Sequence, residues 1–573
     1  MRKSILITSV IAALLLCAYS SFACTNVIVT RGASTDGSNM VSYAADSHWL
    51  YGELYFQPAG KHRKGSVREI VEWDTYKKIG SIPEAEYTFQ TVGNMNEKQL
   101  VIAETTWGGR LELMDPDGIM DYGSLIYVTL QRASSAREAI QTIASLAGEY
   151  GYPSEGETFS IADKDEAWIM DLIGKGEGNK GIVWVARRIP DGYICAHANQ
   201  ARITRFPLND PNTLYSSDVI SFAREKGYYD GPDEEFSFRD AYCPLDFGTV
   251  RGCDARVWSA FNILCGGRFT WEENGVEVSR DASEYLNYAM GYDLAGELPL
   301  WVKPSEQVGV KDVADVMRDH FEGTPMDMRT DIGAGGNACP YRWRPMEFSV
   351  DGKTYVNERA IATQQTGFWF VAQSRAAFPD LIGALLWFGT DDAATSYLTP
   401  IYVNTRQVPD CFRVGNGNLL KYSETASFWI NNRISNSCYR MYDQMEPVVR
   451  KEIDAFENEQ MNRAVPHFDS LAVKLYGKHR KGLLGKLAYW RVRHALTEYT
   501  VDTARKQFSK WSRLEKTLLV KFIDGNVKAQ DEDGKFIHEK EYEGLPAELS
   551  QPGYTQKWKE AVVKDHGPVI QVR

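Results

Sequence analysis

Short runs rich in apolar and β-branched residues, separated by clusters of polar turn residues, recur through the first part of the chain, a pattern typical of β-strands. Two such runs, residues 25–30 and 40–44, flank a turn rich in Ser, Asp and Gly. This arrangement predicts a β-hairpin that begins beside position 24. Further strands are predicted over residues 53–57, 87–91, 100–104, 158–163, 166–172, 182–187 and 193–197.

Helical periodicity interrupts these strands. Apolar residues recur at helical spacing within residues 124–148, where Ser134 and Ser135 offer a helix cap. Helices are also predicted over 216–226, 283–290 and 310–321, and strands over 368–373 and 381–388 within a β-rich block at 347–403. Strand blocks that flank helix blocks predict an α+β fold in which two stacked sheets are covered by helices.

The pattern changes again after residue 426, where the chain becomes charged and amphipathic. Helices are predicted over 439–461, 484–506 and 510–522, followed from Gly525 by a small hairpin or an irregular arm. We interpret residues 427–573 as a mainly helical C-terminal extension, packed on a catalytic domain of residues 24–426.

Residues 1–23 have the pattern of a secretory signal peptide. Arg2 and Lys3 precede an apolar stretch at 5–16, and Ser21-Phe22-Ala23 provides small residues before a cleavage point. The apolar stretch is too short for a membrane-spanning helix, which needs about 20 residues. The pattern therefore predicts a protein exported to the periplasm or secreted, with no integral membrane span.

Cleavage after Ala23 makes Cys24 the first residue of the mature protein. A thiol and a free α-amino group then belong to one residue, with ordinary pKa values of about 8.5 and about 8. The amine can act as general base toward its own thiol near neutral pH, so no separate histidine is needed.

Lipid attachment is the alternative interpretation of Cys24. A lipidated cysteine loses its thiol to a thioether, and the chain would then be an anchored protein that binds peptides or glycans in aromatic-lined clefts. Lipidation sites usually carry an aliphatic residue three positions before the cysteine, and here that residue is Ser21. The sequence favours ordinary cleavage.

Composition narrows the classes of partner. The 573 residues carry a formal charge of −12, which argues against nucleic acid or an anionic membrane as the main partner. Seven cysteines follow Cys24 without a C-x-x-C pair. Cys243 and Cys253 are predicted as a disulfide pair, and most of the others as buried free thiols.

Motifs of several other enzyme classes are absent from the sequence. It contains no H-E-x-x-H, no G-x-S-x-G and no G-x-x-x-x-G-K-[ST]. A cysteine nucleophile that carries its own base needs no metal and no organic cofactor. It does need an oxyanion hole and groups that position the amine and the substrate.

An ordered set of short blocks resembles peptidase family C69, the cysteine dipeptidases among the N-terminal nucleophile hydrolases. The blocks are Cys24-Thr25-Asn26, the turn at 34–38 followed by Asp46, and the segments 93–97, 103–104, 198–203 and 255–258. The resemblance implies a four-layer αββα sandwich. It also implies hydrolysis of small peptides, dipeptides above all, through a thioester on Cys24. An acylase acting on bile-salt or penicillin-like amides is the alternative on the same fold.

The resemblance further implies a role for each site residue. Asp46 would hold the amine or thiol, Asn199 would donate to the oxyanion, and Asn96 would lie near that hole or shape the substrate pocket. Arg256 would lie beside the nucleophile. The competing interpretations are a strand-end Asp46, a turn Asn96 and an Arg256 in a surface ion pair.

One position departs from the family pattern. Many relatives carry an arginine three residues before the aspartate that corresponds to Asp46, and this chain has Tyr43 there. Either Arg256 or Arg31 supplies the missing positive charge, or activation of the thiol depends more on the amine.

Overall fold

The structure is a computed structural model that describes residues 24–477 and 482–572. The predicted signal peptide, residues 1–23, lies outside the described residues. A seven-stranded and an eight-stranded antiparallel sheet form the centre of the fold. Their strands are β1 Asn26–Val29, β2 Asn39–Asp46, β3 Phe56–Gln57, β4 Thr91–Val92, β5 Met95–Asn96, β6 Val101–Trp107, β7 Gly156–Ala162, β8 Ala167–Gly174, β9 Ile182–Arg188, β10 Ile194–His197, β11 Thr213–Tyr215, β12 Trp301–Val302, β13 Thr366–Ser374, β14 Ala384–Thr390 and β15 Thr399–Tyr402.

The two sheets face each other. The order is β12-β10-β1-β2-β13-β14-β15 in one sheet and β11-β9-β8-β7-β6-β5-β4-β3 in the other. Strand β2 contacts β6 and β7 across the gap between them. Every residue of β2, β7 and β8 is buried, since both faces of these strands are covered.

Helices pack on the outer faces of the sheets. Helices α1 and α2 contact β6, β7 and β9, while α4 and α5 contact β10, β2 and β13 of the other sheet. The longer helices are α1 Tyr122–Arg132, α2 Ala136–Tyr150, α3 Val219–Glu225, α4 Ala255–Leu264, α5 Val310–Val316, α6 Ser427–Cys438, α7 Tyr442–Glu459, α8 Val465–Gly477, α9 Gly482–Lys521 and α10 Gln556–His566.

Short elements complete the described part of the chain. The brief helical turns are Leu111–Leu113, Asp233–Glu235, Phe238–Tyr242, Phe247–Thr249, Val250–Asp254, Ala282–Tyr285, Leu286–Ala289, Ile332–Asn337, Asp380–Gly383, Asp410–Phe412, Gln460–Ala464, Ile523–Gly525 and Gly567–Ile570. The two-stranded ribbons pair Gly60–Lys61 with Tyr87–Thr88, Val67–Val71 with Lys78–Pro83, Arg268–Glu273 with Val276–Asp281, Glu347–Val350 with Lys353–Val356, and Val527–Lys528 with Leu549–Ser550.

The predicted α+β class and the N-terminal hairpin are confirmed. Strands β1 and β2 pair antiparallel, with Ile28 opposite Val41. The helix predicted over 124–148 is divided, because Ser135 caps α2 through the Glu138 amide. The predicted break near residues 507–509 is wrong: α9 is continuous there, since Gln507 and Trp511 are both buried along one side of it.

The C-terminal helices share buried contacts with the sheets. Arg318 donates to both carboxylate oxygens of Glu457 on α7, at 2.5 and 3.0 Å. Arg375 donates to Asp469 on α8 at 2.6 Å. All four groups are nearly inaccessible to solvent. The domain boundary at residue 427 stays a prediction.

Every described cysteine is a free thiol. The expected pair of Cys243 and Cys253 is therefore wrong. Cys243 Sγ instead accepts a hydrogen bond from Gln200 Nε2 at 3.2 Å, and both cysteines are buried. Within the described ranges, no helix has the length and apolar character required to cross a membrane.

Candidate active site

The pairing of β1 with β10 brings Cys24 close to Asn199. Asn26 lies opposite His197 in this antiparallel pair. Two more residues of the same register place position 24 opposite position 199. Cys24 is only 7% exposed, and it borders a cavity of about 770 Å³.

Arg256 joins these two residues from the start of α4. One of its terminal nitrogens donates to the Cys24 carbonyl at 2.6 Å and to Thr25 Oγ1 at 2.8 Å. The other donates to Asn199 Oδ1 at 2.9 Å. Burial, and then the nearby Arg359, lower the pKa of Arg256 to about 10, so it is still a cation at neutral pH. Arg256 is buried and binds the main chain of Cys24, so it is not a member of a surface ion pair.

Asn199 has a left-handed backbone, with φ of 55°. Its Nδ2 donates to the Thr106 carbonyl at 2.5 Å, while its Oδ1 accepts from Arg256. Arg256 thereby fixes which end of the amide is the donor. To reach an oxyanion beside Cys24, Nδ2 would have to leave Thr106.

Asp46 ends β2 at a bulge and also lines the cavity. Its Oδ2 accepts from Arg359 at 2.5 Å, and its Oδ1 accepts from Thr366 at 2.6 Å. Burial raises the pKa of Asp46, and the positive charge of Arg359 opposes this shift. The carboxylate is therefore held by Arg359 and Thr366, while the main chain of Asp46 interacts with the Cys24 thiol.

Tyr43 and Glu104 surround the sulfur of Cys24. The sulfur lies 3.7 Å from the Tyr43 hydroxyl and 3.6 Å from Glu104 Oε1. Burial, then the charges of Glu104 and Asp46, raise the pKa of Cys24 well above the ordinary value for a thiol. The surroundings stabilise the thiol over the thiolate, so attack by this sulfur requires a proton acceptor.

A second carboxyl group lies behind Glu104. Thr106 Oγ1 donates to Glu157 Oε1 at 2.5 Å. Burial raises the pKa of both Glu104 and Glu157, and in Glu157 the charge of Glu104 adds to the effect. Glu157 is therefore the member of the pair that holds a proton more readily.

Asn96 is placed elsewhere by the structure. Its Nδ2 donates to the carbonyls of Leu130 and Ala133, at 2.7 and 2.9 Å, beside the end of α1. Its Oδ1 accepts from two main-chain amides of its own turn. Asn96 is not among the residues that border the cavity, and its amide stabilises the turn before β6.

The cavity is lined by acidic and aromatic side chains. The carboxyl groups come from Asp46, Glu72, Asp74, Glu104 and Glu155, and none of the described lining residues is Lys, Arg or His. Trp49, Trp73 and Tyr122 form apolar walls. The described residues contain no group of three or more His, Cys, Asp or Glu arranged to hold a metal ion.

Sequence reasoning missed several of these contacts. Glu104 lies in a strand that is otherwise apolar or hydroxylated, and a carboxyl group on a buried strand is a usable signal. The contact of Arg359 with Asp46 could not be predicted from the sequence, because the two residues are 313 positions apart. Arg31 is exposed and is not among the residues that border the cavity beside the thiol. Arg256 is thus the one of the two proposed cations that reaches Cys24.

Comparison with known proteins indicates one peptidase family and relatives named as dipeptidases. The profile described as peptidase family C69 matches residues 23–455. A probable dipeptidase of Latilactobacillus sakei is 25% identical over 418 residues, 68% of this chain and 76% of the relative. Dipeptidase A of Lactobacillus helveticus is 22% identical over 464 residues, 76% of this chain and 85% of the relative. A probable dipeptidase of Salmonella dublin is 23% identical over 412 residues, 67% and 82% of the two chains.

Proposed function

The chain belongs to peptidase family C69, and from that membership we propose that it is an exported cysteine dipeptidase. Cys24, freed as the N-terminal residue by cleavage after Ala23, is the nucleophile. The enzyme hydrolyses dipeptides through a thioester, and no metal or organic cofactor takes part. The two facing sheets with helices outside them form the four-layer αββα sandwich of an N-terminal nucleophile hydrolase.

The α-amine of Cys24 is the general base of this mechanism. The buried thiol has a raised pKa and must lose a proton before it attacks. No histidine is among the described lining residues, the carboxylate of Asp46 is held by Arg359, and in this proposal Glu104 pairs with the ammonium group of the substrate. An α-amine has an ordinary pKa of about 8, which suits a proton transfer near neutral pH. Asp46 and Arg359 position the main chain beside the sulfur.

The reaction then follows in two steps. The amine accepts the thiol proton as Sγ attacks the peptide carbonyl, and it returns that proton to the departing amino group. Water, deprotonated by the same amine, hydrolyses the thioester and releases the second amino acid. Asn199, oriented by Arg256, leaves Thr106 and donates to the oxyanion in both steps.

The position of Glu104 is the observation that carries the choice of substrate. In any dipeptide the α-nitrogen lies about 2.5 Å from the scissile carbonyl carbon, because only two bonds separate them. Glu104 Oε1 lies 3.6 Å from Cys24 Sγ, so a carbonyl under attack brings its own α-ammonium group to this carboxylate. The bound ammonium offsets the negative charge that raises the pKa of Cys24.

The acidic lining also argues against the acylase alternative. Penicillin-like and bile-salt amides are anions and have no α-ammonium group on the acyl side. Five carboxyl residues line the cavity, with no Lys or Arg among the described lining residues, and their charge repels such substrates. Because the described lining residues include no Lys or Arg, they also offer no cationic partner to the C-terminal carboxylate of a peptide.

A substrate panel together with one nucleophile variant tests the proposal. We expect turnover of free dipeptides and loss of at least about a hundredfold in kcat/KM after N-acetylation, since an uncharged amide cannot pair with Glu104. A dipeptide amide should lose much less. Cys24→Ala should abolish turnover, and the chelator EDTA should have no effect. Turnover of penicillin V or glycocholate, but not of dipeptides, would replace the proposal with the acylase function.

The intact mass of the protein from its native host tests the export step. A chain that begins with unmodified Cys24 is expected. A diacylglyceryl group on Cys24, together with peptide binding but no hydrolysis, would replace the mechanism with that of an anchored binding protein.

A further inference from the structure

The first turns of α9 have apolar residues on two opposite sides. One side packs on the protein through Ala488 and Val492, which are buried. The other side is open to solvent and consists of Leu483, Leu484, Leu487 and Trp490. Leu483 is 75% exposed and Trp490 is 53% exposed. A helix that is apolar on its outer side as well as its inner side has a partner other than water.

Helix α8 adds two exposed leucines to the same region. Leu471 and Leu475 are one helical turn apart and are both exposed. Helices α8 and α9 pack against each other as consecutive elements. We call the exposed apolar side chains of these two helices the hairpin surface: Leu471, Leu475, Leu483, Leu484, Leu487 and Trp490.

Positive charge is concentrated around the hairpin surface. Residues 470–497 include seven Lys and Arg residues and no Asp or Glu, although the whole chain has a formal charge of −12. Lys474, Lys486 and Arg491 are exposed on the described helices. At 100° per residue, Lys486 and Arg491 lie at the edges of the stripe formed by Leu483 and Leu487. Apolar residues bordered by basic ones are typical of helices that lie in a membrane interface.

We propose that the hairpin surface binds peripherally to a bilayer of anionic phospholipids. The leucines and Trp490 enter the boundary between headgroups and acyl chains, while Lys474, Lys486 and Arg491 pair with lipid phosphates. The rest of the chain is strongly acidic and is repelled by such a bilayer, so the protein docks with this hairpin first. A second copy of the chain is a poorer partner, because it would present the same positive charges.

This mode of attachment is independent of residue 24. A lipid on Cys24 would consume the thiol, whereas the hairpin surface holds the protein at a membrane and leaves the nucleophile free. The net charge alone argued against an anionic membrane partner. That argument does not apply to residues 470–497, because this segment contains no Asp or Glu.

Vesicle co-sedimentation tests this inference. The purified protein, whose intact mass excludes an acyl group, is mixed with phosphatidylglycerol–phosphatidylethanolamine vesicles and with phosphatidylcholine vesicles. We expect binding to the first and at least about tenfold weaker binding to the second, with a loss of binding as salt screens the charges. Two triple variants, K474E/K486E/R491E and L483S/L484S/L487S, should each lower binding at least about tenfold.

Matched variants at other exposed positions are the controls. K557E/K559E/K564E makes the same change in net charge on α10, and L545S/L549S/V563S removes exposed apolar residues from the C-terminal arm. Both should bind vesicles like the unaltered protein, and circular dichroism melting should show that all four variants are folded. Equal loss of binding in the control and hairpin variants overturns the proposal. So does a dimer in sedimentation velocity that ignores vesicles and dissociates in L483S/L484S/L487S. Neither result depends on peptide hydrolysis.

Discussion

The hydroxyl of Tyr43 donates a 2.5 Å hydrogen bond to Oε1 of Glu104. The resemblance to family C69 places an arginine at position 43 in many relatives, whereas the tyrosine is neutral. Tyrosine can stabilise the carboxylate of Glu104 without neutralising it. In the proposed mechanism, the carboxylate of Glu104 therefore has no cationic partner next to Cys24 until the ammonium group of the substrate binds.

Tyr43→Phe removes that donor and should raise the pKa of Glu104 further, because the hydrogen bond from Tyr43 lowers it. Burial already raises this pKa, so the acidic limb of the kcat/KM profile should lie above the ordinary range for glutamate and move higher in the variant. We expect a loss of about tenfold near pH 6 that narrows at higher pH. Tyr127→Phe, which removes a buried hydroxyl bonded to Asn94, should leave the limb in place.

Glu104→Gln tests recognition of the substrate ammonium. Loss of a buried charge pair should raise KM for free dipeptides by tenfold to about a hundredfold. The preference for free over N-acetylated dipeptides should shrink in the same proportion, which a purely structural role would not produce. Glu177→Gln on an exposed loop is the control. An unchanged preference in Glu104→Gln would assign ammonium binding to another carboxylate.

Arg256→Lys keeps the positive charge but loses the fork that holds both the Cys24 carbonyl and Asn199. We expect kcat to fall about a hundredfold, because the oxyanion donor is no longer oriented, while KM changes little. Arg318→Lys, at a buried arginine that pairs with Glu457 and does not border the cavity, serves as the control for folding. A variant whose kcat and KM both match the unaltered protein would remove Arg256 from the mechanism.

His197 should make the protein less stable in acid. Its ring lies between Thr105 and Ser160, and burial lowers its pKa to about 3. The unfolded state, with an ordinary pKa of about 6.5, binds one more proton below that pH, so the free energy of unfolding falls as pH falls. Between pH 6.5 and 5 this effect amounts to about 2 kcal/mol. Urea unfolding at both pH values should show that the His197→Gln variant lacks this decrease in the free energy of unfolding. The variant of an exposed histidine, His467→Gln, should keep it.

Asp469→Asn tests how far the C-terminal helices belong to the catalytic domain. The substitution leaves Arg375 buried against a neutral amide, and we expect a loss of 3–5 kcal/mol of stability in denaturant unfolding. A chain ending at residue 426 would expose the apolar residues that pack against the C-terminal helices, among them Tyr397 and Tyr402, so it should be insoluble. A soluble, folded fragment 24–426 would instead establish the predicted boundary as a true domain boundary.

Strand pattern and cysteine position allowed much of this architecture to be predicted. Two short apolar runs on either side of a turn rich in Ser, Asp and Gly predicted the hairpin of β1 and β2, and the leader pattern indicated Cys24. Periodicity gave no information on contacts between distant segments, which is why Arg359 was missed and why Cys243 was wrongly paired. The same limit applies to Asn96: the family resemblance implied a place near the oxyanion hole or the substrate pocket, but the fold shows that its amide binds the carbonyls at the end of α1.

Cys24 lies two positions before the start of strand β1 and is almost fully enclosed, and Arg256 fixes its carbonyl. A leader cut one position too early would leave an alanyl group on Cys24, turn its basic amine into an amide, and push the extra residue into the substrate cavity. Peptide hydrolysis would therefore require cleavage of the leader at the bond between Ala23 and Cys24 and at no neighbouring bond. A recombinant protein with any residue retained before Cys24 should be folded but inactive. Removal of that residue with an aminopeptidase should restore peptide hydrolysis.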